Sequence, residues 1–252
     1  MQIKSKAFIV TGAASGLGEA VARRLIAEQA QVYLVDLKID ALHALAQDLG
    51  TGASVQQLDV TDEQQVADFF AQLSTVPLAG LINCAGIAPA EKLLKKDAIH
   101  QLASFQQTLN INVVGSFNMA RYAAAAMAQQ PLQQGERGVI IQTASVAAYE
   151  GQIGQVAYAA SKGAIVSMTL PMARELARHA IRVMTIAPGI MATPMLKNMP
   201  EPVQRALAEM VPFPKRLGEA EEFARLVQHI IENAYLNGEV IRLDGAIRMA
   251  AQ

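Results

Sequence analysis

Tyr158 and Lys162 stand four residues apart, the spacing that puts two side chains one turn above the other on a single helical face. A phenol with an ordinary pKa of about 10 is a poor acid or base near neutrality, but a fixed cation beside it favours the phenolate. The pair is therefore expected to lower the Tyr158 pKa and to let that hydroxyl exchange a proton with an alcohol or a ketone. Alone, the same spacing describes a surface Tyr and Lys on an amphipathic helix, so its meaning depends on what else the chain supplies.

A second group of residues supplies a phosphate cradle. In Thr11-Gly12-Ala13-Ala14-Ser15-Gly16-Leu17-Gly18 the three glycines allow a tight turn, close backbone approach to a ligand, and a helix packed hard on a strand. Val21, Leu25 and Ile26 follow at helical spacing, which puts the loop at a helix N-terminus, where free N–H groups and the helix dipole attract a pyrophosphate. Gly12, Ser15, Gly16, Leu17 and Gly18 are the expected contacts. The GxxxGxG spacing departs from GxGxxG, and an ordinary glycine-rich turn is its alternative. Asp36 closes the following strand at about the 20-residue offset of the carboxylate that receives the adenosine ribose hydroxyls. That carboxylate repels a 2′-phosphate. Ser15 rather than a cation precedes Gly16, and Leu37 rather than Arg follows Asp36, so NAD(H) is expected over NADP(H), with Lys38 the one nearby cation.

The elements that must hold these groups are legible as alternating runs. Short apolar segments at 7–10, 31–35, 53–60, 78–82, 138–141, 181–186 and 238–243 read as strands buried on both faces, and amphipathic segments lie between them. Nearly every strand ends in residues suited to a ligand: Thr11-Gly12, Asp36, Asp59-Val60, Asn83-Cys84-Ala85-Gly86, Thr143-Ala144-Ser145 and Ala187-Pro188-Gly189. Such a pattern predicts a single α/β domain, a doubly wound parallel sheet of the Rossmann type with helices on both faces, binding its ligand at the carboxyl edge. Thr61 is the expected cap of the helix after Asp59, long helices are expected at 105–127 and 156–176, and a final helix at 219–232.

Two segments interrupt the rhythm. Lys92, Lys95 and Lys96 form a basic insertion, either a solvated face or a place for an anionic group. Residues 190–217 are rich in Met (Met191, Met195, Met199, Met210) and Pro (Pro194, Pro200, Pro202, Pro212, Pro214), as expected of an irregular lid over an aliphatic substrate or of a plain apolar loop.

Composition narrows the classes. An apolar fraction of 52%, a charged fraction of 17% and a net charge of -1 argue against disorder and against a nucleic-acid footprint, leaving a small molecule as the expected partner. Cys84 is the single cysteine, so no internal disulfide forms, and His43, His100, His179 and His229 are scattered as surface or cap residues with no metal-ligand spacing. No apolar run reaches the roughly 18 residues of a membrane helix and no signal peptide is visible, so a soluble cytoplasmic protein is expected.

Taken together, the segment 11–18, Asp36, 83–86, Ser145, Tyr158, Lys162 and Pro188-Gly189 resemble the short-chain dehydrogenase/reductase family over essentially the whole chain. Within it, the runs 138–154, 163–170, 181–188, 211–218 and 236–249 are similar to the type 2 3-hydroxyacyl-CoA dehydrogenase branch, whose activities include 17β-hydroxysteroid oxidation. The resemblance implies an NAD-dependent oxidoreductase of fatty-acid metabolism that interconverts 3-hydroxyacyl-CoA and 3-oxoacyl-CoA. It implies Tyr158 as general acid and base, Ser145 as hydrogen-bond donor to the reacting oxygen, and Lys162 as partner of Tyr158 and of the nicotinamide ribose. Asn112 is implied to hold a water relaying protons to Lys162. Asp59, Val60, Asn83, Ala85, Gly86, Pro188, Ile190 and Thr193 are implied to complete the NAD site, with Ser145, Gln155 and Tyr158 against the substrate. The family also implies a homotetramer. A carrier-protein reductase, a hydroxysteroid dehydrogenase and, from another class, a non-catalytic dinucleotide-binding scaffold are the alternatives.

Overall fold

In a computed structural model, residues 1–73, 76–197 and 200–251 are described, with the backbone only for Met195 and Lys197. Met199 of the expected Met-rich lid lies outside the described residues, as does the side chain of Met195. Strand and helix alternate as β1 (Ala7–Thr11), α1 (Gly16–Ala27), β2 (Gln31–Asp36), α2 (Ile39–Leu49), β3 (Ala53–Gln57), α3 (Glu63–Gln72) and β4 (Leu78–Asn83). There follow α4 (Leu102–Leu109), α5 (Ser116–Ala128), β5 (Gly138–Thr143), α6 (Val156–Ala177), β6 (Ile181–Pro188), α7 (Pro194–Lys197), α8 (Glu201–Glu209), α9 (Ala220–Glu232) and β7 (Val240–Leu243).

Among the described residues seven strands pair in parallel in the order β3-β2-β1-β4-β5-β6-β7. This is the doubly wound sheet that the sequence predicts. Side chains alternate between its faces. Phe8, Val10, Leu34, Ile82, Ile141 and Met184 pack with residues of α1, α2 and α9, whereas Ile9, Val35, Leu81, Ile140 and Val183 pack with residues of α3, α5 and α6. Both faces are thus covered, the condition under which strands can be apolar at every position. The chain winds outward from β1 to β3 and then returns to place β4 on the other side of β1. The reversal opens a crevice between the carboxyl ends of β1 and β4.

Several local expectations are corrected. Asp62, not Thr61, caps α3: its carboxylate accepts from the Gln65 N–H at 3.0 Å, while the Thr61 hydroxyl is bonded to Asp59. An aspartate one residue later wins because its charge also meets the positive end of the helix. The helix expected at 105–127 is divided by a π-helical turn, Asn110–Gly115, in which Asn112 and Gly115 are buried. At Gly115 an added Cβ would lie 2.5 Å from Val60 Cγ2, so the wider turn brings backbone directly against the end of the β3 segment. The proline-rich segment is less irregular than expected. Pro200 and Pro202 stand at the start of α8, where a proline's missing N–H costs nothing. His100 is no helix-surface residue, since its ring is enclosed and its Nδ1 lies 3.1 Å from the Glu91 carbonyl.

Candidate active site

The crevice beside β1 begins with Gly12, whose φ of +65° and whose distance of 2.8 Å from a would-be Cβ to Ala85 N admit only glycine. Gly18 is equally confined, for a Cβ there would stand 2.3 Å from the Gly12 carbonyl oxygen, and so α1 starts in contact with the loop. The α1 N-terminus has Ser15 at its cap position without a side-chain hydrogen bond to the helix, leaving its first N–H groups open to an anion. Thr193 closes over Gly16, its Cγ2 being 3.6 Å from the position of a Cβ.

Asp36, at the end of β2, accepts from Ala14 N at 3.2 Å and Lys38 N at 3.1 Å, which fixes its carboxylate beside the glycine loop. A cleft of about 650 Å³ runs from these residues past Asp59 and Val60 to Ala85, Gly86 and Pro89, with Ile111 on its wall. Asp59 is held by the Thr61 N–H at 2.9 Å and the Thr61 hydroxyl at 2.8 Å. A larger hollow of about 790 Å³, bordered by Gln2, Glu28, Glu136 and Glu232, opens at the opposite edge of the sheet. It holds no glycine loop, and its Glu136 is engaged by Arg182 and the N-terminal amine, so size does not locate the chemistry.

Ser145 follows β5 and caps the turn Val146–Ala148, accepting from Ala147 N at 3.1 Å. Tyr158, near the start of α6, lies close enough for the Ser145 side chain to favour its phenolate. Burial pushes the Tyr158 pKa above its usual 10, and the Ser145 hydrogen bond only partly opposes the rise. This corrects the expectation that Lys162 lowers it. The Lys162 Nζ is 5.7 Å from the Tyr158 ring centroid and donates to the Thr143 carbonyl at 2.7 Å. Burial lowers its own pKa to about 8. Desolvation therefore outweighs the Ser145 side chain at Tyr158 and the neighbouring Cys84 at Lys162.

Asn112 is wholly buried and its amide is fully engaged: Oδ1 accepts from Ile87 N at 2.8 Å, and Nδ2 donates to Ile87 O and Ser161 Oγ, each at 2.9 Å. Asn112 Oδ1 and Lys162 Nζ nonetheless converge on Gly86, lying 3.0 and 3.7 Å from the point a Cβ would occupy. Asn83 is turned away from the cleft, donating to Ser116 O and Gln142 Oε1 at 3.0 Å, so it ties β4 to α5 and β5. Gln155 Oε1 accepts from Gln152 N at 3.0 Å within the same loop. Pro188 is the buried end of β6, and the Ile190 carbonyl accepts from Gly218 N at 3.0 Å.

Sequence reading missed three supporting residues. Thr11 Oγ1 accepts from Cys84 N and Ala85 N, both at 3.1 Å, and so stitches β1 to β4 at the floor of the cleft. Thr143 supplies the Lys162 acceptor and Ser161 the Asn112 partner. Thr11 had a signal in its place at a strand end before glycine, whereas backbone carbonyls leave none. Among the described residues no three His, Cys, Asp or Glu side chains gather as metal ligands, and no helix is long and apolar enough to cross a membrane.

A switch-point crevice floored by glycines, with a Ser-Tyr-Lys group at its far end, defines a dinucleotide-dependent oxidoreductase of the doubly wound class. The short chain dehydrogenase family model matches residues 6–204, and the chain belongs to that family. It is similar to the 3-hydroxyacyl-CoA dehydrogenase type-2 of Homo sapiens, with 53% identity covering 98% of this chain and 97% of the relative. The protein of that name from Drosophila melanogaster is 50% identical over 98% and 99% of the two chains. A (3R)-3-hydroxyacyl-CoA dehydrogenase of Rattus norvegicus shares 32% over 99% and 98%. Among solved structures, a 3-hydroxyacyl-CoA dehydrogenase type-2 from Mycobacterium avium aligns with a TM-score of 0.92 and 38% identity, covering 98% and 97%.

Proposed function

We propose that the protein interconverts 3-hydroxyacyl-CoA and 3-oxoacyl-CoA with NAD as cofactor. The observation that carries the chemistry is the half-buried Tyr158 phenol with Ser145 near it and Lys162 Nζ 5.7 Å from its ring, the lysine reaching Gly86 on the wall of the glycine-floored cleft. The substrate class rests on the likeness to relatives bearing that name, which covers 98% of this chain and 97–99% of theirs. The glycine loop fits a dinucleotide, because Gly12 and Gly18 keep clear the space that side chains would fill. Gly12, Ser15, Gly16, Leu17 and Gly18 would hold the pyrophosphate, and Asp36 the adenosine ribose. Asp59 and Val60 would meet the adenine, and Ala85, Gly86, Pro188, Ile190 and Thr193 the nicotinamide half. When bound, the cofactor supplies or accepts hydride at its nicotinamide ring.

The chain's own residues manage the proton. In the reducing direction the Tyr158 O–H, kept protonated by burial, donates to the substrate oxygen as negative charge develops there, and Ser145 donates a hydrogen bond to that same oxygen. In the oxidising direction Tyr158 first releases its own proton toward Lys162 and solvent and then, as the phenolate, takes the alcohol proton. Lys162 holds the group in register through Thr143, and the space over Gly86 between Asn112 and Lys162 suits a proton-relaying water. The described residues between Ile190 and Leu217 would cover the substrate.

Loss of NADH absorbance on adding acetoacetyl-CoA tests the reading. Turnover of that substrate and its longer homologues is expected, and no consumption with any of them overturns it.

A further inference from the structure

The loop between Ser145 and Tyr158 must hold two reacting hydroxyls in register, yet residues 149–155 contain two glycines and lie outside any regular element. Glu91 N holds the loop from one side by donating to Gly154 O at 2.8 Å, and β7 with the segment beyond it holds it from the other. Arg242, in β7, makes a two-pronged pair with Glu150, Nη1 to Oε1 and Nη2 to Oε2 both at 2.9 Å. Its guanidinium lies 5.3 Å from the centroid of the Tyr149 ring. The same guanidinium donates through Nε to Asp244 Oδ2 at 2.7 Å and through Nη2 to Ile247 O at 3.0 Å. Arg248 reinforces both acids, 3.2 Å from Asp244 Oδ2 and 3.4 Å from Glu150 Oε1. Farther along, Ile153 N donates to Ala251 O at 2.9 Å and Gln152 Nε2 to Ala250 O at 3.2 Å.

Asp244 also abuts the opposite wall of the cleft. A Cβ on Gly189 would stand 2.9 Å from Asp244 Cα, and Gly189 N donates to Leu243 O at 2.9 Å. One arginine therefore links the loop that joins Ser145 to Tyr158 with the segment that follows β6. We propose that Arg242, acting through Glu150 and Asp244, is a positioning residue that sets the Ser145–Tyr158 register against the nicotinamide wall. A planar guanidinium suits the task because it engages two carboxylates in fixed directions while lying against an aromatic ring. Small displacements of a reacting group are costly in rate, whereas partly exposed ion pairs contribute little to overall stability.

This rests on the oxidoreductase reading above, so the test has a readout independent of turnover. Glu150→Gln and Arg242→Lys are compared with wild type for acetoacetyl-CoA reduction, for the NADH KM, for thermal midpoint and for amide hydrogen exchange. Both variants are expected to lose about tenfold in kcat while holding the NADH KM within about twofold. The midpoint is expected to move by less than about 4 °C, and exchange to rise across 149–155 but not in β1 or α1. Wild-type kcat in both variants, unaltered exchange across 149–155, or a loss explained by weaker NADH binding overturns the proposal. If wild-type protein does not turn over acetoacetyl-CoA, the substrate reading falls, while the exchange comparison still decides whether Arg242 and Glu150 hold the loop.

Discussion

Lys162 stands over the Tyr158 ring, its Nζ 5.7 Å from the centroid, and gives a hydrogen bond to the Thr143 carbonyl at 2.7 Å. The lysine thus joins the phenol to the end of β5, the strand that leads into Ser145. Removing the phenol's proton while sparing its ring isolates the chemistry. Tyr158→Phe is expected to lower kcat by about 10² to 10⁴ and to leave the NADH dissociation constant unchanged. Turnover is read from NADH absorbance and binding from NADH fluorescence; full activity in this variant removes the hydroxyl from the mechanism.

The two buried groups give pH a defined sign. Lys162 titrates at about 8 when folded and near 10.5 when unfolded, so between those values the unfolded chain binds more protons and stability rises with pH. Tyr158 acts oppositely: its folded pKa lies above 10, so above that pH the folded chain retains a proton the unfolded chain has lost, and stability falls. Urea unfolding from pH 7 to 11 should show the gain between about pH 8 and 10.5 in wild type and its loss in Lys162→Met. An unchanged pH dependence in that variant counts against the buried cation.

Asp36 is expected to set the cofactor. Its carboxylate is fixed by two backbone N–H groups, so a 2′-phosphate meets a charge that cannot turn aside. Asp36→Ala should shift the ratio of kcat/KM values for NADH and NADPH by about tenfold or more toward NADPH, as expected for removal of like-charge repulsion of about 1.4 kcal/mol. Initial rates with each cofactor decide it, and an unaltered ratio refutes the assignment.

At Gly12 a methyl group is excluded twice, by a φ of +65° and by backbone 2.8 Å away. Gly12→Ala should cost about 1–3 kcal/mol in stability and weaken NADH binding together with it. Denaturant unfolding and NADH titration of the same sample test both; full affinity in the Ala variant contradicts a cradle at this turn.

The exposed Lys92, Lys95 and Lys96 sit on a small hairpin that reaches the active-site loop through the Glu91 N–H to Gly154 carbonyl bond, 2.8 Å long. Lys95 already faces Glu91 at 3.2 Å. Lys→Ala changes at the three sites should raise KM for acetoacetyl-CoA several-fold and leave it unchanged for a truncated thioester lacking the nucleotide phosphates, through loss of roughly 1 kcal/mol per screened contact. Equal effects on the two substrates argue for a purely solvated face.

The sheet was legible because strands buried on both faces must be apolar throughout, and runs such as 7–10 and 138–141 show that without alternation. Asp36 and the glycines could be read for a related reason: close approach and strand-end charge leave marks in residue type. Side-chain direction leaves none. Asn83 and Asn112 are each a residue from positions that border the cleft, yet both spend their amides inside the protein. The π-helical turn was hidden as well, since 105–127 has the composition of an uninterrupted helix and the wider turn answers to the contact between Gly115 and Val60. The sign of the Tyr158 shift was misjudged because sequence shows the neighbouring cation but not the depth at which it is buried.

Met191 and Gly218 form a parallel bridge, with Ala192 N donating to Gly218 O at 2.7 Å and Gly218 N to Ile190 O at 3.0 Å. Between them Thr193 packs over Gly16, and Phe213 N donates to Gly245 O at 3.3 Å, so the described part of this segment touches both the glycine loop and the stretch that follows β7. A substitution within that segment is therefore felt at the loop that opens α1 as well as at the far edge of the sheet.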